Sequence, residues 1–156
     1  MRADDTFGGA LDLHARGLRI GVVTSVFNGS ITRGLTQGAV EYLREAEAED
    51  VLVVEAPGAF ELPLIAKRLA TRGYDAVVCL GAVIEGETDH YEHVAHRASE
   101  GLMRVQLDTG VPITFGILTV RDVAHAVSRS EPGPENKGRE AAIAAVMAAR
   151  ALDAIG

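Results

Sequence analysis

Residues 76–90 read AVVCLGAVIEGETDH, and this stretch decides the fold. Its first half, Ala76–Ala82, is an unbroken apolar run, too short for a helix and bounded upstream by Asp75. A short Val-rich run of this kind is what a strand covered on both faces requires, and such strands belong to parallel sheets flanked by helices. Its second half supplies two glycines (Gly81, Gly86), a hydroxyl (Thr88) and a histidine (His90), just where an amphipathic period begins. The pattern predicts a buried strand, a turn and then a helix.

The same rhythm extends in both directions. Apolar runs at Leu18–Val26, Val51–Glu55 and Ile113–Leu118 predict three more buried strands. Between them lie helical periods, the first with Ile31, Leu35, Ala39, Tyr42 and Leu43 on one face. Others run over Phe60–Thr71, ended by Gly73, and over about His90–Thr109, with Tyr91, Val94, Ala98, Leu102 and Val105 as its stripe. A short helix at Arg121–Arg129, a Pro/Gly break at Pro132–Pro134 and an Ala-rich helix from Lys137 to about Asp153 complete the chain. Strands alternating with helices over short connections predict an α/β fold, a three-layer α/β/α sandwich around a four-stranded parallel sheet with right-handed crossovers. A polar arm over residues 1–17 precedes a single domain over residues 18–156.

Composition bounds the activity. With 156 residues, 47% of them hydrophobic, the chain suffices for one core, since folding at this length buries roughly 68–70% of the unfolded surface. The lone Cys79 rules out a disulfide framework within the chain and, inside an apolar run, reads as a buried thiol. No segment reaches the ~18 uninterrupted apolar residues of a membrane span, and the first 17 residues lack a signal peptide's apolar stretch, so a cytoplasmic protein is expected. Fifteen basic residues against 22 acidic ones give a net charge of −7, which disfavours nucleic acid and anionic membrane as partners. A small anion remains open, because a few local cations or main-chain N–H groups outweigh a distant negative surface.

In parallel α/β sheets ligands bind beyond the carboxyl ends of the strands. The residues there are Phe27-Asn28-Gly29-Ser30, Ala56-Pro57-Gly58-Ala59-Phe60-Glu61, the 81–90 stretch, and Thr119 onward. The turn before His90 offers N–H groups and Thr88 to a phosphate and a histidine to move protons near neutrality. By itself it also reads as a solvated capping turn, with Glu85, Glu87 and Asp89 opposing an anion. It is neither a Walker A loop nor a dinucleotide fingerprint. His90, His93 and His96 stand three apart; on a helix the outer two are about 600° apart and splay, so no metal is expected. Arg129 and Lys137 flank the SEPGPEN break and, taken alone, also read as a helix-end cation and a solvated lysine.

Taken together, the motifs are more specific. The order FN-x-x-IT, PGAFELP, GAVI-x-G-x-T-x-HY, PITFGILT and R-x(6)-NKG, collinear from about Leu18 to Ala149, resembles the 6,7-dimethyl-8-ribityllumazine synthase family of riboflavin biosynthesis. The resemblance implies a flavodoxin-like sheet of order 2-1-3-4. It also implies condensation of 5-amino-6-(D-ribitylamino)uracil with 3,4-dihydroxy-2-butanone 4-phosphate, without cofactor or metal, and a functional link to riboflavin synthase.

By motif, the resemblance implies that Phe27 stacks on the pyrimidine, while Ala59, Phe60 and Glu61 hold the uracil and ribityl chain. It likewise implies that Ala82, Val83 and Ile84 present main-chain groups to the uracil edge. Glu87, through its main chain, and Thr88 would meet the phosphate, and His90 would shuttle protons. Phe115 and Arg129, with Lys137 close by, would come from the neighbouring subunit of a homopentamer, with the Ala-rich helices packed around its axis.

Two departures stand out. Position 85 is Glu where the motif more often has Arg, which predicts weaker attraction of a phosphorylated substrate and gives weight to an alternative: a pentameric lumazine- or flavin-binding protein of low activity. The break before the last helix reads SEPGPE where shell-forming members tend to carry a Gly- and Lys-containing turn, so the resemblance implies a pentamer and leaves higher assembly, up to a 60-subunit shell, open.

Overall fold

Apolar runs become strands here because two helical layers compete to cover them. In the computed structural model, which describes residues 13–156, they form β1 (Arg19–Ser25), β2 (Asp50–Ala56), β3 (Ala76–Ile84) and β4 (Ile113–Val120). All pairings are parallel and the sheet order is β2-β1-β3-β4. The helices are α1 (Gly29–Glu45), α2 (Leu62–Ala70), α3 (His90–Thr109), α4 (Val123–Ser130) and α5 (Lys137–Ile155). This is the three-layer α/β/α, flavodoxin-like arrangement that the alternation and the motif order predict.

Strand β3 shows why. Ala76, Val78, Leu80 and Ala82 point into one core with α1, α4 and α5, whereas Val77, Cys79 and Val83 point into the other with α2 and α3. Period-two alternation thus sends both sets of side chains into apolar surroundings. Burial pushes the Cys79 thiol far above its ordinary value, which leaves it a small apolar side chain rather than a nucleophile.

Two expectations need correcting. Strand β2 forms but is not covered on both faces: as an edge strand it leaves Leu52 and Val53 about two-fifths exposed, because α1 and α2 pack chiefly over the inner strands. The helix expected over Phe60–Thr71 starts later, since Ala59–Glu61 make a 3₁₀ turn and the α-helix begins at Leu62, where Pro63 suits a first turn. The Ala-rich α5 turns Ala141, Ala142, Ala145 and Ala149 into its own core, while Ala144 stays exposed.

The arm expected over residues 1–17 lies outside the described residues as far as residue 12. Residues 13–17 are docked. Ala15 is fully buried and its N–H donates to Ala46 O, while the Arg150 guanidinium donates to the carbonyls of His14 and Arg16.

Candidate functional site

The order β2-β1-β3-β4 places the topological switch point between β1 and β3, where crossovers leave in opposite directions and a crevice opens at the carboxyl ends. The two ladders of β3 end at different heights. Its register with β1 stops at Thr24–Leu80, whereas its register with β4 continues to Ile84–Val120. The main chain of Gly81–Ile84 therefore overhangs on the β1 side without a strand partner. One acceptor of this overhang is used: Asn28 Nδ2 donates to Ala82 O at 2.9 Å. Asn28 adopts the left-handed region, φ 59°, a conformation that Asn tolerates better than most residues, and so turns the chain from β1 into α1 at the crevice.

Around this overhang stand the aromatic candidates. Phe27 is 67% exposed and Phe60 62% exposed, apolar rings left open to solvent at the rim. The Phe27 ring lies directly over Gly58: a Cβ at that glycine would sit 2.9 Å from the ring and 3.7 Å from Glu61 Oε2. Gly58 thus lets Phe27 and Glu61 stand side by side. Ala59, Ala82 and Val83 are buried beneath, and Ile84 is half-buried.

The turn ahead of α3 is solvent-facing, with residues 85–90 all exposed. Thr88 Oγ1 accepts from His90 N at 3.3 Å, which pins the start of α3 and leaves the hydroxyl proton of Thr88 to donate. Glu85 does not stand alone. Its carboxylate is 3.4 Å from Arg121 Nε across the ends of β3 and β4, an ion pair open to solvent with the Arg121 side chain 86% exposed. His90, His93 and His96 are exposed, and His93 faces Asp89 at 3.4 Å. Among the described residues no group of three or more His, Cys, Asp or Glu side chains is placed to hold a metal.

Phe115, Arg129 and Lys137 are brought together, but elsewhere. They line a cleft of about 440 Å³ along the outer edge of β4, with Thr119, Glu135 and Glu140. A single chain therefore carries two groups of candidate residues, one at the β1/β3 crevice and one on the β4 edge. Among the described residues neither Arg129 nor Lys137 forms an ion pair. Sequence reasoning passed over Asn28, Gly58 and Asn136, which hold these groups in place. The signal for Asn28 was its position directly after Phe27 at a strand end.

A family model described as 6,7-dimethyl-8-ribityllumazine synthase matches residues 17–153.

Proposed function

The chain belongs to the 6,7-dimethyl-8-ribityllumazine synthase family, and from that premise we propose that it condenses 5-amino-6-(D-ribitylamino)uracil with 3,4-dihydroxy-2-butanone 4-phosphate. The amine attacks the ketone and loses water to give an imine, phosphate leaves, and the ribityl-bearing nitrogen closes the ring with loss of a second water. Each step moves protons between bound groups, so orientation and general acid–base help carry the catalysis.

The observation that carries this reading is the β3 overhang at the switch point. It turns main chain that has no strand partner on the β1 side toward the edge of a flat heterocycle, and the exposed ring of Phe27 beside it offers a stacking face. Glu61, across Gly58 from that ring, accepts ribityl hydroxyls, and Phe60 adds apolar cover. The Thr88 hydroxyl and the main-chain N–H of Glu87 meet the phosphate, and His90, open to solvent at the start of α3, exchanges protons with the reacting nitrogens.

Arg129, Lys137 and Phe115 lie on the other edge of the sheet. They complete such a site when the β4 edge of one subunit stands beside the β1/β3 crevice of the next, which supports a ring of five chains with shared sites. The low-activity binding alternative rests on Glu85, and the Arg121 guanidinium at 3.4 Å offsets that charge only in part, since the pair is open to solvent.

Mixing the protein with both substrates and following lumazine formation tests the reaction. A rate above the spontaneous background is expected, and a rate equal to it at saturating substrate overturns the proposal. Sedimentation tests the assembly: a pentamer is expected, and a monomer contradicts the shared site.

A further inference from the structure

The NKG segment does more than present Lys137. Asn136 is 1% exposed and is the N-cap of α5, its Oδ1 accepting from Arg139 N at 3.0 Å. Its Nδ2 donates to three carbonyls: Gly34 O on α1 at 3.1 Å, and Ser130 O and Glu131 O at the end of α4, each at 3.0 Å. One amide side chain therefore ties together α1, the end of α4 and the start of α5, and one of its two protons is shared between acceptors.

The helices come close enough for this only because glycines stand at the contacts. A Cβ on Gly34 would strike Ser130 O, one on Gly38 would strike the Asn136 amide, and one on Gly138 would strike Leu35 O. Gly34 and Gly38 lie four apart, on one face of α1. The joint sits between two cations. Arg129 immediately precedes Ser130, whose carbonyl Asn136 holds, and Lys137 immediately follows Asn136. Both cations open into the same cleft.

We infer that Asn136 is a positioning residue, setting the separation of Arg129 and Lys137 by clamping the end of α4 to the start of α5 on the glycine face of α1. This rests on the reading that the two cations receive a phosphate. Two cations grip one phosphate well only at a fixed spacing, and side chains on two helix ends drift apart unless the ends are joined. The amide suits the task because it offers two protons to carbonyls while accepting from the helix N–H; a carboxylate has no proton to give and a hydroxyl only one.

The test is Asn136→Ser, which keeps an oxygen to cap α5 but cannot donate to three carbonyls. Wild type, Asn136→Ser and Arg129→Ala are titrated calorimetrically with inorganic phosphate, alongside steady-state kinetics in both substrates and thermal melting. Asn136→Ser is expected to weaken phosphate binding roughly ten- to a hundredfold, the scale of a misplacement near 1 Å. KM for the phosphorylated substrate should rise in parallel, while kcat and KM for the aminouracil stay near wild type.

Phosphate affinity unchanged in Asn136→Ser, absent from wild type, or a joint decline of kcat and both KM values that follows the melting point overturns the inference. Should Asn136→Ser not fold, Gly38→Ala crowds the same amide without removing any of its atoms and reads the same coupling. A wild type that binds phosphate, weakened by Asn136→Ser, yet shows no turnover sinks the condensation reading and leaves the positioning role. Turnover in wild type with unaltered phosphate affinity in Asn136→Ser sinks the positioning role alone.

Discussion

The rim at residues 85–90 and the joint of α1, α4 and α5 are held in opposite ways. Every residue of the rim is exposed, and among the described residues its side-chain hydrogen bonds are local, such as His90 N to Thr88 Oγ1. At the joint Asn136, Ser130 and Gly138 are buried, and one side chain bonds to three elements at once. A group that must meet a ligand has to keep unspent hydrogen-bonding capacity and access to solvent, so few contacts hold it. A group that fixes where another stands can be fully satisfied within the protein, and the interior rewards that. The rim thus belongs to the low-stability end of the molecule and the joint to the high-stability end.

The sharpest way to break this contrast is to remove a rim residue and look for a loss of stability. In the proposed role, His90→Ala lowers kcat by about 10²- to 10⁴-fold, the range of a positioned general acid–base. Because the ring is exposed and packs against no core, the melting temperature should stay put. A fall in melting temperature comparable to that of a joint variant would erase the distinction.

Next in size is the same substitution made in both regions. At Gly138 the new Cβ meets Leu35 O on the main chain of α1, whereas at Gly86 nothing lies within 4 Å. Gly138→Ala is expected to cost about 1–3 kcal/mol, the scale of overpacking against atoms that cannot turn aside. Gly86→Ala should stay within about 0.5 kcal/mol. Urea unfolding of the two variants measures the difference directly, and equal losses would mean that the joint yields as easily as the loop.

These two regions also differ in how far the sequence discloses them. The strands were legible because an apolar run has few other uses, and the helices because their stripes repeat every three or four residues. The exposure of β2 was not, since Leu52 and Val53 look as apolar as any inner strand and only the sheet order makes them an edge. At the rim, Thr88 and His90 could be singled out from their place after a strand, whereas Phe27 and Glu61 stood in segments after strands and took their roles only from the motif resemblance. The joint stayed hidden: glycine in a helix reads as a weak helix former, and Asn136 beside Pro132 and Pro134 reads as part of a break. Two glycines four apart on α1 were the available signal, but their partner lies 102 residues away from Gly34 in sequence, at Asn136, a pairing that only the fold makes.

The smallest effect expected lies at the outer margin of the joint, where satisfaction by protein gives way to satisfaction by water. Arg139, one turn into α5, holds Glu45 at the end of α1 through Nη2–Oε2 at 2.8 Å and lies 5.4 Å over the Tyr42 ring. The Arg139 hydrogen bond keeps the Glu45 carboxyl below its ordinary range. A depressed carboxylate contributes stability above its unfolded pKa and loses it as pH falls through the folded one. Yet Glu45 is 56% exposed, so water and salt screen the pair, and Glu45→Gln should cost only about 0.2–1 kcal/mol near neutrality. Glu49→Gln removes the same charge from a carboxylate with no ion pair among the described residues, and so corrects for the net −7 of the chain. Melting temperatures of the two variants should differ at neutral pH and converge as the carboxylates protonate. A difference that persists in acid would place the Glu45–Arg139 contact with the buried joint rather than with the solvent-screened surface.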